Sequence, residues 1–330
     1  MNLNKNTSYV LIHVLNGNNT AAEVKSKFQD IDIRSIQRAL NRLTELGILT
    51  RKGTNNPSYS VNYNNLLVFS IADKLLENEN RPKSIFNHEL IDWLLKLEKD
   101  ELESILKSSS ISKLKANHSE PMSAKELEYL TVELSWKSSA LEGNTYTLLD
   151  TQLLLVEGIK AKNRTEFETQ MILNHKNAIA FIIENKDLFS GKIKFSTLEE
   201  LHKIIGNNLG IDNGIRKKLV KITASNYEPI ANPHQLREYA NRSLDIINKA
   251  SDPYIKSVLA LALIPYLQAF EDGNKRTGRM LANAILISSA NTGFSLRKTD
   301  AKKLALAYLS FYEFNSINAL SKVFEAELKN

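Results

Sequence analysis

The sequence predicts a mainly α-helical protein with one small β-hairpin and an N-terminal winged helix-turn-helix. Apolar residues recur at helical spacing through most of the chain from residue 123 onward. Alternating polar and apolar residues, typical of short strands, occur near residues 48–63 and 218–230. With 330 residues, 42% of them apolar and 24% charged, the chain is long enough for two domains of ordinary globular composition.

The composition excludes several classes of protein and site. The chain has no cysteine, which excludes disulfides, thiolate metal sites and a cysteine nucleophile. Its first ten residues lack the apolar core of a signal peptide. The longest apolar run, residues 258–267, is too short to span a bilayer and contains Pro265. We therefore expect a cytoplasmic protein with no membrane partner.

Residues 1–62 contain the pattern of a winged helix-turn-helix. Helices are predicted over 7–15, 20–28 and 33–46, because apolar residues recur at helical spacing and Thr20 can cap the second helix. Gly47 ends the third helix, and two alternating segments then flank a polar turn. Three helices followed by a β-ribbon resemble a winged helix, in which the third helix is placed for the DNA major groove.

The charges of this N-terminal segment indicate a polyanion partner. Residues 1–62 contain eight basic and four acidic side chains, so most of the net charge of +6 belongs to them. Arg34, Arg38 and Arg42 lie four residues apart on one face of the third helix. The sequence therefore predicts DNA binding through these arginines. Two alternatives stay open: a solvated charged face, and a module that binds protein.

The rest of the chain is predicted to be almost entirely helical. Residues 63–122 are interpreted as a helical linker region between the N-terminal domain and a larger domain of residues 123–330. Helices of the larger domain are predicted over 123–141, 165–185, 196–206, 233–250, 253–269, 276–291 and 298–327. β-branched residues around a turn predict a small hairpin over 218–230.

A polar loop between two apolar helices, residues 268–279, contains the residue types of a phosphate and metal site. Gly273 permits close backbone approach, and the following helix presents free N–H groups. Asp272 can hold Mg²⁺, which prefers one or two carboxylates together with substrate phosphates. Arg276 and Arg279 share one helical face and can reach successive phosphates. The pattern alone also fits a helix-start loop with surface ion pairs.

The loop sequence F-E-D-G-N-K-R-T-G-R resembles the signature H-x-F-x-[DE]-G-N-G-R-x-x-R of the Fic family. Fic enzymes mostly transfer AMP from ATP to a hydroxyl side chain of a target protein. The resemblance implies that Asp272 binds Mg²⁺ and that Asn274, with the loop amides, binds the α- and β-phosphates. It further implies that Arg276 contacts the β-phosphate and Arg279 the γ-phosphate. The implied nucleotide ligands are Gly273, Asn274, Lys275, Arg276 and Arg279.

Two further segments resemble Fic motifs in the family order. Residues 214–229 are similar to the G-x-x-R lead into a β-hairpin flap, which in Fic proteins pairs with the target segment. The implied flap residues are Lys221, Ile222, Thr223, Ala224 and Ser225. The stretch S-S-A-L-E-G-N is similar to the inhibitory motif [ST]-x-x-x-E-[GN], with Ser138 and Glu142 at its two fixed positions. By this resemblance Glu142 pairs with Arg279 and keeps the γ-phosphate from its productive position.

The signature loop departs from the family pattern at two positions. Gln268 stands where the family has the histidine that accepts the proton of the attacking hydroxyl. A neutral amide cannot take a proton near pH 7, and the loss of a positioned base typically costs about 10²–10⁴ in rate. His175 and His202 lie in predicted helices and are expected to be structural. Lys275 replaces the usual glycine and resembles the Doc branch of the family, which transfers the γ-phosphate instead.

Three functions are consistent with these motifs. The first is a self-inhibited protein adenylyltransferase that uses ATP and Mg²⁺, with weak or absent AMP transfer. The second is a Doc-like phosphotransferase, which only Lys275 favours. The third is a nucleotide-binding regulator in which a degenerate Fic domain reports ATP or partner state to a DNA-binding winged helix. The protein target, the DNA site and the oligomeric state, including any homo-oligomer, are left open by the sequence.

Overall fold

The computed structural model describes residues 3–15, 18–27, 31–62, 65, 83–106 and 120–328. Its contacts divide the chain into two compact units. The first unit comprises Met1–Trp93, Lys221–Glu228 and Leu306–Ala319. The second unit comprises Leu94–Val220, Pro229–Ala305 and Leu320–Asn330. Within the described part of the chain, every helix is too short or too polar to cross a membrane.

The N-terminal part of the first unit has the element order that the sequence predicts. Three helices, α1, α2 and α3, precede two antiparallel strands, β1 and β2. Their bounds are Lys5–Leu15, Ala21–Ser26, Ile33–Glu45, Leu49–Lys52 and Ser58–Val61. The predicted mainly helical fold with small sheets is therefore correct for this region.

Helix α3 begins and ends where its local chemistry requires. The Asp32 carboxylate accepts a hydrogen bond of 3.0 Å from the backbone N–H of Ser35 at its N-terminus. Gly47, with φ +68°, adopts the left-handed conformation that ends the helix, as the sequence predicts. One face of α3 is buried, with Ile36 and Leu40 at its centre. Because this face of α3 is buried, the remaining side chains of the helix lie on its exposed face.

The predicted hairpin over 218–230 does not form. Tyr227–Glu228 (β4) instead pairs in parallel with Ser84–Ile85 (β3), and residues 223–224 form a turn. The Glu313 carboxylate accepts hydrogen bonds from the Ser225 hydroxyl (3.0 Å) and the Asn226 backbone N–H (3.1 Å). The strand is thus formed by Tyr227 and Glu228 and not by the β-branched residues, and its partner is a distant segment that no local pattern indicates.

The described residues between 88 and 328 are mainly helical, as predicted. Their helices are α4 His88–Lys96, α5 Lys99–Leu106, α6 Ala124–Ala140, α7 Leu148–Gln152, α8 Glu166–Glu184, α9 Asp187–Ser190, α10 Phe195–Gly206, α11 Pro233–Lys249, α12 Pro253–Leu267, α13 Asn274–Ser289, α14 Ala301–Phe314 and α15 Asn318–Leu328. A short π-helix, Leu153–Glu157, follows α7. The sequence also predicts breaks in the linker region at 78–82 and 117–121, and of these residues 78–82 and 117–119 lie outside the described residues.

The single helix predicted over 298–327 is wrong, because the structure contains two helices there. The chain breaks at Asn315, whose φ of 54° is incompatible with a continuing right-handed helix. Its backbone N–H and its side-chain Nδ2 both donate to the Phe311 carbonyl oxygen, at 2.9 Å and 3.1 Å, and so close the last turn of the helix. The uninterrupted apolar spacing across residues 301–328 gave no sign of this break.

Helices α12 and α13 form the core of the second unit and fix the loop between them. Almost every side chain of α12 is buried, including that of Lys256. The two helices approach closely at Gly278, where a Cβ atom would lie 2.8 Å from the Pro265 ring. Because both helices are held by this packing, the loop of residues 268–273 has fixed ends.

Candidate nucleotide-binding site

The loop between α12 and α13 is folded on itself by its own side chains. It begins at Gln268 and reaches Gly273, and both residues have left-handed backbone conformations, with φ of 48° and 77°. The Asn274 side chain closes the loop, since Oδ1 accepts from the Phe270 N–H (3.0 Å) and Nδ2 donates to the Phe270 carbonyl (2.8 Å). Asn274 is therefore fixed by the loop itself, at the first residue of α13.

Arg216 holds the start of this loop from outside. Its Nε donates to the Gln268 carbonyl at 2.5 Å, and its backbone N–H donates to the Ala269 carbonyl at 2.9 Å. The same guanidinium donates to the carbonyls of Lys218 and Ile230. Sequence reasoning assigned no role to Arg216, although it lies in the segment similar to the G-x-x-R lead. A buried arginine whose side chain donates to three carbonyl groups around the loop acts as a structural clamp.

His202 of α10 supports the opposite side of the loop. Its ring stacks on Phe270 with centroids 3.8 Å apart, and Nε2 lies 2.9 Å from the Asp272 carbonyl oxygen. Because a carbonyl only accepts, Nε2 carries the proton. Burial lowers the pKa of His202 below its usual range, although the hydrogen bond to Asp272 opposes this. His202 is thus a neutral support for the loop.

Arg276 is the group whose environment is incomplete. Its Nη2 forms an ion pair of 2.9 Å with Asp272, yet its side chain is only 2% exposed. Nε and Nη1 are buried and have no hydrogen-bond partner among the described residues. Burying guanidinium donors without acceptors is costly, so this position is suited to an anion. The N-terminus of α13 and the left-handed Gly273 lie beside it, as a phosphate site requires.

Asp272 is placed to hold a cation together with an anionic ligand. Its carboxylate is 66% exposed, and besides Arg276 it accepts from the Gly273 N–H at 2.5 Å. Among the residues that the structure describes, no group of three or more histidine, aspartate or glutamate side chains could bind a metal alone. A single carboxylate fits Mg²⁺ bound mainly through substrate phosphates, and it does not fit a cation held by protein alone.

Arg279 is buried and bound by the end of α6. Nη2 forms an ion pair of 2.7 Å with Glu142 and donates to the Ser138 carbonyl at 3.1 Å. Nε donates to the Ser138 hydroxyl at 3.0 Å. Burial opposes ionisation of Glu142, but the charges of Arg279 and Lys275 outweigh it and hold the pKa of the carboxyl below its usual range. The structure therefore brings Ser138, Glu142 and Arg279 together.

Gln268 is buried and its amide is occupied. Nε2 donates to the Pro265 carbonyl at 2.7 Å, and Oε1 accepts from Asn274 Nδ2 at 3.3 Å. The side chain thus caps the end of α12 and contacts the residue that closes the loop. An amide in this arrangement has no basic lone pair to offer to a substrate proton.

The Fic/DOC family model matches residues 192–286. The matched segment runs from α10 through the loop to α13, and it contains the incomplete Arg276 site. This segment of the chain is therefore similar to a Fic/DOC domain. Outside the matched segment, Ser138 of α6 and Glu142, just beyond the end of α6, contact Arg279 within it.

Sequence relatives and solved structures agree with this assignment. The chain is 27% identical over 158 residues to the protein adenylyltransferase Fic of Nematostella vectensis, which covers 46% of this chain and 36% of that relative. It has the same identity to the protein adenylyltransferase fic-1 of Caenorhabditis elegans, over 46% of this chain and 30% of that relative. The match thus spans about a third of the length of these curated relatives.

The solved structures support the fold. C. elegans Fic-1 (residues 134–508) superposes with a TM-score of 0.52 at 20% identity, over 73% of this chain and 71% of the other. A Fic-domain-containing signalling protein from Bacteroides thetaiotaomicron also has a TM-score of 0.52 at 20% identity, over 67% and 94%. Both similarities concern the helical Fic fold.

The residues that resemble the Fic flap lie in a separate unit from the signature loop. Lys221, Thr223 and Ala224 are exposed, and Ala224 has a left-handed φ of 60°. Ile222 and Ser225 are half-buried, and the Ser225 N–H donates to the Ile222 carbonyl at 3.2 Å across the turn. The segment is therefore an exposed turn whose end is fixed by Glu313, and it is not a hairpin.

Lys275 and the three N-terminal arginines have accessible side chains. Lys275, in the first turn of α13, is half-buried, and its charge contributes to the lowered pKa of Glu142.

Arg34, Arg38 and Arg42 are all exposed, on the face of α3 opposite its buried residues. These three side chains therefore lie on one exposed face of α3.

Proposed function

We propose that the Fic domain binds ATP with Mg²⁺ in an adenylyltransferase fold whose transfer of AMP to a protein hydroxyl is weak or absent. The observation that carries the nucleotide site is Arg276, whose Nε and Nη1 donors are buried without a partner among the described residues. Phosphate oxygens supply acceptors of the right charge for such a group. The match of residues 192–286 to the Fic/DOC family supports the same ligand.

Different residues of the loop would bind different parts of the ligand. Asp272 would hold Mg²⁺, which when bound neutralises phosphate charge. The N–H groups of the first turn of α13 and the donors of Arg276 would bind the central phosphates. Arg279 would bind the terminal phosphate once Glu142 has left it. Glu142 therefore acts, in this proposal, as an internal anion that competes with the terminal phosphate.

The weak point of the site is proton transfer. AMP transfer forms a bond between the target oxygen and the α-phosphorus while the bond to pyrophosphate breaks, and the hydroxyl proton must go to a base. Gln268 stands at the base position and cannot take that proton. Its amide already donates to Pro265 and accepts from Asn274. Binding is thus retained in this proposal, whereas catalysis is not.

A nucleotide-binding regulator is the second candidate from the same site. The anion-binding groups Asp272, Arg276 and Arg279 are kept beside an unsuitable base, as expected if binding itself has a role. The exposed face of Arg34, Arg38 and Arg42 supports DNA binding by a winged helix formed by residues 1–62. A Doc-like phosphotransferase is favoured by Lys275 alone.

Labelled ATP separates these functions. Wild-type protein is incubated with Mg²⁺, a lysate of candidate targets, and ATP labelled at the α- or the γ-phosphorus. Covalent α-label indicates an adenylyltransferase, and covalent γ-label indicates a phosphotransferase. Calorimetric binding of ATP without either label supports the regulator. If neither wild type nor Glu142→Gly binds ATP, the proposed nucleotide site is wrong.

A further inference from the structure

The Ser138 hydroxyl contacts two buried groups from different helices. Its Oγ lies 2.9 Å from Nε2 of His175 on α8, and it accepts the Nε–H of Arg279 on α13 at 3.0 Å. Both His175 and Arg279 are at most 1% exposed. A chain of hydrogen bonds therefore joins His175 of α8 to Arg279, the arginine that forms an ion pair with Glu142.

The chemistry of the groups fixes the direction of this chain. Nδ1 of His175 lies 2.8 Å from the Met171 carbonyl oxygen, which can only accept, so Nδ1 carries the proton. The Ser139 hydroxyl also lies near Nδ1, at 3.4 Å. Nε2 is then unprotonated and accepts the hydroxyl proton of Ser138. Because that proton is committed to His175, the oxygen lone pairs of Ser138 face Arg279.

Burial, aided by nearby positive charges, keeps His175 in this state. Burial lowers the pKa of His175 to about 3, against the hydrogen bond to Met171, and the nearby charges of Arg276 and Arg279 act in the same direction as burial. A proton on Nε2 would turn the acceptor into a donor and place it against the Ser138 hydroxyl. His175 therefore stays a neutral acceptor toward Ser138 throughout the neutral pH range.

We infer that His175 is a positioning residue for Arg279, acting through the Ser138 hydroxyl. The inference rests on the proposed nucleotide site and deepens it. Two residues at the end of α6 bind Arg279: Glu142, just beyond the helix, through its carboxylate, and Ser138 through its hydroxyl and carbonyl. When Glu142 leaves, the Ser138 contacts remain, and His175 keeps the hydroxyl lone pairs aimed at Arg279. The guanidinium is thus pre-oriented for a terminal phosphate.

A merely structural histidine would give a different pattern of mutational effects. His175 lies on the buried face of α8, between Ile172 and Ile179, so any substitution there affects packing. Two amides separate packing from hydrogen bonding. Glutamine places Oε1 near the position of Nε2 and can still accept from Ser138. Asparagine places Nδ2 near the position of Nδ1 and keeps the donor to Met171, but it has no acceptor that reaches Ser138.

The test compares His175→Gln with His175→Asn, both in the Glu142→Gly background. The affinities of ATP and ADP with Mg²⁺ are measured by calorimetry on folded protein. We expect His175→Gln to keep the ATP affinity within about threefold and His175→Asn to lose about tenfold, as for one charge-assisted contact. ADP affinity should change little in both, because ADP lacks the phosphate that Arg279 would bind. Equal losses of ATP affinity in both variants would overturn the inference.

A second measurement does not need the nucleotide. ¹⁵N NMR of the His175 ring in wild type should show a protonated Nδ1 and an unprotonated Nε2, and Ser138→Ala should shift the Nε2 resonance. A ring protonated at Nε2 would overturn the proposed direction of the chain. If Glu142→Gly binds neither ATP nor ADP, the nucleotide site itself is wrong and the role of His175 toward it is wrong too. That outcome differs from loss of ATP affinity in the His175 variants alone.

Discussion

Glu142, at the C-terminal end of α6, forms an ion pair of 2.7 Å with Arg279 of α13, 137 residues further along the chain. Glu142 side-chain exposure is 23%, whereas Arg279 is 1% exposed, so the carboxylate closes the accessible side of a buried cation. An anionic ligand that approaches Arg279 has to replace this carboxylate. The contact therefore couples the stability of the fold to the availability of the arginine.

The first prediction concerns the pH dependence of this ion pair. The folded pKa of Glu142 is lowered, so its contribution to stability is present above the unfolded value, about 4.3, and is lost as pH falls through the folded pKa. Glu142→Gln should lower the free energy of unfolding at pH 7 by about 1–3 kcal/mol. The difference from wild type, measured by urea denaturation, should shrink at acid pH.

A matched control is Glu157→Gln, which changes an exposed glutamate outside this contact. It should alter the free energy of unfolding by no more than about 0.5 kcal/mol at either pH. An equal effect of both substitutions, or a Glu142→Gln effect that does not depend on pH, would show that the ion pair contributes no specific stability.

The second prediction separates stability from binding at Arg276. Burial lowers the pKa of this guanidinium, and two of its donors have no partner among the described residues. Arg276→Met should therefore leave the free energy of unfolding unchanged or raise it, because a buried cation with two unsatisfied donors and one exposed carboxylate partner is replaced by an apolar side chain. The same substitution should weaken ATP binding by about 1.5–3 kcal/mol, measured by calorimetry. If Arg276→Met lowered the free energy of unfolding and left ATP binding unchanged, Arg276 would be a structural residue and not a nucleotide ligand.

The sequence predicted the parts of the site that local pattern and motif spacing determine. The four-residue spacing of Ser138 and Glu142 predicts that both side chains lie on one side of the end of α6, and the loop glycine and arginines predict an anion site. That these two segments meet came from the resemblance to Fic proteins, since no local pattern relates residue 142 to residue 279. In the structure the two segments are in contact through the ion pair of Glu142 and Arg279.

The supporting residues could not be predicted, because their partners lie far away in sequence. Arg216 binds a carbonyl 52 residues away, and the His175 ring contacts Ser138 at a separation of 37 residues. Each looks like an ordinary polar residue in its own segment. The missing hairpin has the same cause, because the strand preference of residues 227–228 is satisfied by Ser84–Ile85.

The third prediction concerns the close approach of α12 and α13 that fixes the loop. A Cβ atom on Gly278 would lie 2.8 Å from both Cγ and Cδ of Pro265. Gly278→Ala should therefore cost about 1–3 kcal/mol of unfolding free energy, as overpacking does. In the Pro265→Ala background the ring is absent, so the same substitution should cost less. Equal costs in both backgrounds, measured by chemical denaturation, would mean that the two residues do not interact.

The fourth prediction concerns duplex DNA. If the basic face of α3 binds it, the triple variant Arg34/Arg38/Arg42→Ala should weaken binding and reduce the salt slope by about one for each phosphate that the arginines neutralise. The matched control, Lys160/Lys192/Lys203→Ala, removes the same charge from exposed positions outside residues 1–62. Gel-shift titrations over a range of salt concentrations compare the two. Equal effects of both variants would favour a protein partner for the N-terminal domain.

The last prediction restores the missing base. Gln268→His places an imidazole where the amide now contacts Pro265 and Asn274, and Glu142→Gly removes the carboxylate from Arg279. Each change alone should have little effect, because one leaves the ion pair and the other leaves no base. The double variant should raise transfer by about 10²-fold or more, the usual contribution of a positioned base. Mass spectrometry of the protein after incubation with ATP and Mg²⁺ detects this as an added AMP group.

An added phosphate group would instead indicate that Lys275 directs the γ-phosphate to the acceptor, and Lys275→Gly should then change the product. A double variant that binds ATP and stays unmodified, with Lys275→Gly added as well, would leave the nucleotide-binding regulator as the function of this site.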